Sequence, residues 1–494
     1  MKNISTFEKV FSFAAVIISI LIFAKALLDV DPNYDVGWYH LPFAARIWGI
    51  IPQEAFMSGG SIESRYDGFP LLAHFFQGLL WKVTGRLQAT NLVEYLSLIS
   101  YFFFLQSFFR VPLALSAIAI FTIPAVITHA SSSFVDLPGN IGVSVLMMML
   151  YRFFRQSKLP NQKELLFAFL GAAIAANTKP QLQLLIFVLF WVTGIRLLWL
   201  YFKHTAPSKR RLWLTVPLAM IASILIFATP IKNVALHQNP FYPIKIEFAG
   251  IVLNHKLTPQ TYRQGNRPQK WLQSILEIDT PDWSADQWNR GDENYFDRAG
   301  GFFGFYVVFN FLLLLGLTIK ERVLNKKASN QNSRQASTAL GVITLVSLIP
   351  ANFPQSHELR YFMFWMITLV SLNLSLISDE NNRLQVKYFK IPFLIFFIVM
   401  CTKIDSYYLI PNFRSLEVYL NGIINSSILK QISPNQEYCV ISRFGSPSNS
   451  FVPIQHVFYY SSYFHPEIGS DYSIKVSENP QECENIRIIP NEVK

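Results

Sequence analysis

Apolar residues gather into runs of roughly the length that crosses a bilayer, separated by polar stretches that hold most of the charge. A hydrocarbon core about 30 Å thick takes roughly 17–25 residues of helix. On that criterion spans are expected near 10–28, 91–109, 111–128, 139–154, 165–178, 181–201, 212–229, 301–319, 338–350, 361–378 and 391–410, about eleven in all. The first run follows a short segment carrying Lys2 and Lys9, and no small-residue cleavage site comes after it. It reads as an uncleaved first helix with the N-terminus inside.

That orientation makes the loops around 155–164, 202–211, 320–337 and 379–390 cytoplasmic. Lys203, Lys209, Arg210 and Arg211 lie in one of them, and Lys320, Arg322, Lys326, Lys327 and Arg334 in another. Loops 29–90, 129–138, 230–300 and 351–360 then face out, with the tail after about 411. The segment Gly68–Trp81 is apolar but short and contains His74 and Gln77. Counting it as a span would put the basic clusters outside, so it is expected to lie at the outer membrane face. Val36–Ile50, with Trp38, Tyr39 and Trp48, is expected to do the same. The tail alternates short β-type runs such as Tyr438–Ser442 with turn clusters such as Gly445–Ser450. The expected fold is therefore an all-α polytopic membrane domain over 1–410, with outer-face loop helices, and a small α/β extracytoplasmic domain over 411–494.

Composition agrees with this picture. Of 494 residues, 51% are hydrophobic and 15% charged, against about 25% charged in soluble globular proteins. Mean hydropathy is +0.29. A disordered chain, an ordinary nucleic-acid-binding protein and most soluble enzymes are excluded. The net charge of +11 is accounted for by the cytoplasmic clusters. The three cysteines fit no zinc motif. Cys439 and Cys483 fall in the tail, where an oxidising compartment would permit a disulfide. No Walker loop, dinucleotide fingerprint, H-E-x-x-H or G-x-S-x-G stands in a supporting context. The acidic run Asp279, Asp282, Asp286, Asp292, Glu293 and Asp297 lacks calcium-loop spacing and reads as a solvated surface.

The groups able to do chemistry lie in the expected outer loops. Asp29, Asp31 and Asp35 follow the first helix. Carboxylates beside an interfacial helix suggest a site, while Asp35 is equally suited to N-cap that helix and Asp31, before Pro32, to start a turn. Asp136, in SSSFVDLPGN, is either a site carboxylate or an ordinary helix start with Pro138 in its first turn. Lys179, in NTKPQ, sits between apolar segments where the positive-inside rule does not explain it, and an anionic ligand would. Arg360, in HELRYF, offers a planar fork for phosphate oxygens or pairs with Glu358.

In this order the pieces resemble the C-type (GT-C) membrane glycosyltransferases, in particular the protein O-mannosyltransferase and aminoarabinose-transferase group with the bacterial RgtA/B/C/D-like domain. The resemblance rests on YDVGWYHLPFAARI, YDGFPLLAHFFQGLLWKVTG, SFVDLPGNIG, NTKPQ, NPFYPI and ELRYF and covers about residues 10–375. It implies an inverting transfer of a sugar from a polyprenyl-phosphate donor to a glycan, lipid or protein acceptor. Short outer loops and the lack of eukaryotic targeting signals fit a bacterial inner membrane. No nucleic acid and no cofactor are expected, and a divalent metal is compatible but not required, since a monophosphate can leave with Lys and Arg help alone. The resemblance implies a catalytic carboxylate at Asp35 or Asp31 and a second at Asp136. Lys179 and Arg360 match positions where basic residues meet the lipid phosphate, with Tyr361, His40 and His357 beside the substrate. The chain departs from the pattern in lacking adjacent acidic residues in the first loop, so Asp31 and Asp35 both stand as the base. A flippase or transporter of lipid-linked sugars is the alternative, as is a polysaccharide polymerase or ligase working through Arg263, Arg267, Arg290 and Arg298.

Overall fold

The computed structural model describes residues 6–51, 61–204, 209–248, 250–258, 266–278, 302–325, 334–353, 355–379, 383–404, 406–441, 453–469, 472–477 and 487–489. The protein is mostly helical with little sheet. In chain order, α1 (Thr6–Leu28) precedes the short helices α2 (Leu41–Ile47), α3 (Ser61–Gly68) and α4 (Leu72–Thr84). Then come α5 (Leu92–Phe109), α6 (Leu113–Phe121), α7 (Pro124–His129), α8 (Asp136–Arg155), α9 (Gln162–Ala176), α10 (Pro180–His204), α11 (Lys209–Ile226) and α12 (Ala228–His237). A two-residue hairpin, β1 (Glu247–Phe248) and β2 (Ile251–Val252), leads to α13 (Arg267–Leu276), α14 (Phe302–Asn325), α15 (Gln335–Asn352), α16 (Met363–Ile377) and α17 (Arg383–Lys403).

Each of the eleven apolar runs falls on helix, but not each is a clean span. Among the described residues seven helices are long and apolar enough to cross a membrane, or eight if the two halves of Val216–His237, bent by 69°, form one span. The run at 111–128 divides into α6 and α7. Pro124 has no N–H and clashes with a preceding helical turn, so Ile123 turns extended and α7 starts afresh. The run at 165–178 gives only the 15 residues of α9, about 23 Å at 1.5 Å per residue. The basic linker at 326–333, the acidic run 279–297, and Arg263, Arg290, Arg298 and Gly445–Ser450 lie outside the described residues.

α8 and the span ending in α16 form the centre, with 89% and 94% of their spanning residues buried, against 28–39% for the other spans. Apolar side chains on every face are what a central helix requires. α9 reaches α8 through small residues. A Cβ on Gly142 would stand 2.8 Å from the Gly171 carbonyl oxygen, and one on Gly171 would stand 2.7 Å from that of Gly142. Close backbone approach is how helices associate where water is excluded.

α4 is too short to span: its 13 residues reach about 20 Å. It buries His74, Gln77 and Trp81 while Phe75, Phe76 and Val83 stay exposed, which suits a helix lying along a surface. Val36–His40 is a single π-helical turn that runs into α2.

The tail holds a three-stranded parallel sheet, with β3 (Glu437–Ile441) between β4 (Ser473–Ser477) and β5 (Arg487–Ile489). It also holds α18 (Leu416–Ile423), α19 (Ser426–Leu429) and α20 (Ile454–Val457). Cys439 on β3 is disulfide-bonded and Cys401 is free; Cys483 lies outside the described residues. Tyr419, Phe458, Tyr459 and Phe464 of the tail share one apolar cluster with Val30, Val36, Leu41 and Trp81. Trp81 Nε1 donates to the Tyr463 hydroxyl at 3.1 Å. The tail thus packs onto the loop that carries the first acidic cluster.

Candidate functional site

Four ionisable residues from distant parts of the sequence meet in two ion pairs. Asp136 opens α8, and Lys179 stands in the break between α9 and α10, where Pro180 starts a new helix. Their side chains bond directly, Lys179 Nζ to Asp136 Oδ1. The second pair joins Asp35 Oδ2 to Arg360 Nη1 at 3.0 Å, with Glu358 3.8 Å from the same guanidinium. Tyr361 links the pairs. Lys179 Nζ sits 4.2 Å above its ring, and its hydroxyl accepts from Arg360 Nη2 at 3.1 Å.

The two pairs differ in access. The side chains of Asp136 and Lys179 are 1% and 7% exposed, those of Asp35 and Arg360 18% and 23%. An incoming hydroxyl can therefore reach Asp35 in this structure more readily than Asp136. Burial pulls the Lys179 pKa below its ordinary value, and Asp136 works against that pull. Asp136 Oδ2 is buried and accepts no hydrogen bond.

Two expectations change here. Asp35 makes no side-chain cap on the following turn; Arg360 holds its carboxylate instead. The anion that Lys179 needs inside an apolar region is supplied by the protein itself. Its burial is explained without a ligand, because a desolvated ammonium is tolerated when a carboxylate meets it.

Asp31 does start a turn: Oδ1 accepts the Asn33 N–H at 3.0 Å, while Oδ2 accepts the Ser133 N–H at 2.8 Å. Burial raises its pKa and these bonds oppose the rise. Asp31 therefore ties the first loop to the SSSF turn and joins neither ion pair. Asp29 pairs with Lys25 at 2.9 Å and accepts from the Asn412 N–H at 2.9 Å. His40 is buried against His74, ring nitrogens 2.9 Å apart. Burial drives His40 well below the ordinary histidine pKa and His74 to about 3. The pair is neutral and shares one proton-bearing contact. His357 is buried in the turn before Arg360.

Three further contributors lie outside the residues singled out from the sequence. Asn140, one turn into α8, donates to the Arg360 carbonyl at 3.1 Å, and its Oδ1 accepts the Phe364 N–H at 2.9 Å. It fixes the chain that presents Arg360. Glu94 on α5 is fully buried and lies within electrostatic reach of Asp136 and Lys179. A lone carboxyl within a span is itself a signal, which the apolar run around it concealed. The third is Arg65 on α3, whose guanidinium lies 4.3 Å from the centre of the Trp38 ring.

An apolar groove adjoins the cluster. It holds about 480 Å³ and is lined by α4, α5, α8 and α9, with Pro138 two residues after Asp136 and Thr178 next to Lys179 in the chain. Phe76, Leu96 and Leu170 in its lining are exposed, so it opens at the surface of the helical body. Among the described residues no group of three or more His, Cys, Asp or Glu is placed to hold a metal ion. No protein-family profile, curated protein or solved structure matches the chain.

Proposed function

We propose that the protein is an integral-membrane glycosyltransferase of the C-type kind, moving a sugar from a polyprenyl-phosphate donor to an acceptor hydroxyl by inverting displacement. One observation carries this reading. Residues 35, 136, 179 and 360, singled out separately in the sequence, gather around Tyr361, and Pro138 and Thr178, close to two of them in the chain, line an apolar groove. A ligand with a long apolar tail and an anionic head suits both parts.

In this reading Asp35 is the base. It accepts the proton of the acceptor hydroxyl as that oxygen bonds to the anomeric carbon. A placed carboxylate contributes typically about 10²–10⁴-fold to such a step. The bond from the anomeric carbon to the phosphate oxygen breaks on the opposite face, and the phosphate leaves with the electron pair. Arg360 and Lys179 stabilise the charge that grows on it. Asp136 holds Lys179 in place beside the Tyr361 ring. Because Asp35 begins paired with Arg360, a phosphate that engages the guanidinium also loosens the carboxylate for its role as base.

The site faces away from the cytoplasm, the N-terminus lies inside and the tail outside. The charge pattern of the short loops supports this, as does a disulfide at Cys439, since disulfides persist in oxidising compartments. A bacterial inner membrane is the setting we propose. The count near eleven spans and a separate α/β tail domain belong to the same reading.

The test is labelled polyprenyl-phosphate sugar incubated with purified protein in detergent and a pool of glycan, lipid and protein acceptors. The expected result is labelled product of inverted anomeric configuration. Movement of intact donor across vesicles without cleavage would point to a flippase instead.

A further inference from the structure

The cations around the site are not equally committed. Lys179 is held by Asp136, and Arg360 by Asp35 with Glu358. Arg46, on α2, is held by Glu63 of α3 at 2.9 Å and stacks over Tyr66 at 3.9 Å. Arg65, two residues beyond Glu63 on the same helix, differs. Among the described residues no carboxylate pairs with it, and its Nη1 is buried and makes no hydrogen bond. Its close side-chain partner among the described residues is the Trp38 ring.

An arginine cannot shed its proton in a protein, so this charge persists without a directly paired carboxylate among the described residues. Leaving buried guanidinium nitrogen unpaired is unfavourable, and a hydrogen-bonded anion removes the penalty. The surroundings set where such an anion would lie. Arg65 is within electrostatic reach of Tyr39, Asp35, Tyr34 and Tyr361, which places it on the accessible side, near the Asp35–Arg360 pair. The Trp38 ring backs the guanidinium at 4.3 Å, and the planar fork of an arginine matches the oxygens of a phosphate.

We infer that Arg65, lying over Trp38, is the anion seat of the site, taking the phosphate of a lipid phosphate before Arg360 is released from Asp35. This deepens the proposed function by naming the residue that first engages the donor's phosphate. The same chemistry would accept free inorganic phosphate.

The test uses the full chain in detergent and a short isoprenyl probe, farnesyl phosphate, with farnesol and inorganic phosphate as the other arms. No sugar or acceptor is present, so the outcome is independent of whether transfer occurs. Binding is measured for the wild type, Arg65→Gln and Arg65→Lys, with thermal melting of each. A charge-assisted contact predicts that Arg65→Gln weakens farnesyl phosphate by about tenfold or more. Arg65→Lys falls between, and farnesol binding does not change. Inorganic phosphate binding that depends on Arg65 would support the seat and show that a free anion suffices. Farnesyl phosphate binding equally well to wild type and Arg65→Gln would overturn the inference. So would equal loss of farnesol and farnesyl phosphate, which marks a merely structural residue. If Arg65→Gln does not fold, Arg65→Lys with native melting and unweakened phosphate binding would overturn it as well.

Discussion

Lys179 and Asp136 exclude each other's substitution. Removing one partner of a buried pair strands the other, typically at about 3–5 kcal/mol. Lys179→Ala is therefore expected to lower the melting temperature in detergent markedly, with Lys179→Ala/Asp136→Asn recovering part of the loss. Equal melting of Lys179→Ala and wild type would show that the pair does not hold the fold. Asp35→Asn should melt close to wild type, because the Asp35–Arg360 pair is partly exposed and Glu358 still faces the guanidinium. The buried histidines set a pH dependence. A histidine with its folded pKa near 3, as at His74, is neutral in the fold below the ordinary value of 6.5, where the unfolded chain binds a proton. Stability is then full above about pH 6.5 and falls as pH drops towards 3. Melting followed from pH 7 to 4 checks this, and a smaller slope is expected in His74→Phe than in wild type. Much of this residue-scale detail was hidden in the sequence. The types and order of Asp35, Asp136, Lys179 and Arg360 were visible, but which carboxylate meets which cation depends on the chain path between them. Arg65 and Asn140 gave no local signal, since their roles are defined by residues far away in the sequence.

Helices were legible because apolar runs of this length have few alternatives, and α1, α8 and α10 lie close to where the pattern puts them. Breaks were less legible. Pro124 divides one expected span and the turn at Phe227 bends another, and both lie inside stretches whose hydropathy stays high. The contact of α8 with α9 makes its own prediction. A side chain on Gly171 would drive into the Gly142 carbonyl, so Gly171→Leu is expected to destabilise by more than about 2 kcal/mol, the upper part of the range for overpacking. Because Lys179 follows α9 directly, the variant should also disturb the Lys179–Asp136 pair. Native melting of Gly171→Leu would contradict the close approach.

At the scale of the molecule, the first loop is closed in by elements from both ends of the chain. α1 delivers it, the SSSF turn binds Asp31, and tail residues Tyr459 and Phe464 cover it. The sequence did not reveal the last of these, since contacts between Trp81 and Tyr463 span 382 positions. In the proposed function this enclosed cluster transfers a sugar with Asp35 as its base. The most direct measurement is the rate of label transfer from a polyprenyl-phosphate sugar by purified wild-type and Asp35→Asn protein, each shown by melting to be folded. Product is expected with the wild type, and at least about a hundredfold loss with Asp35→Asn, in line with the contribution of a general base. Transfer by Asp35→Asn at the wild-type rate would contradict it.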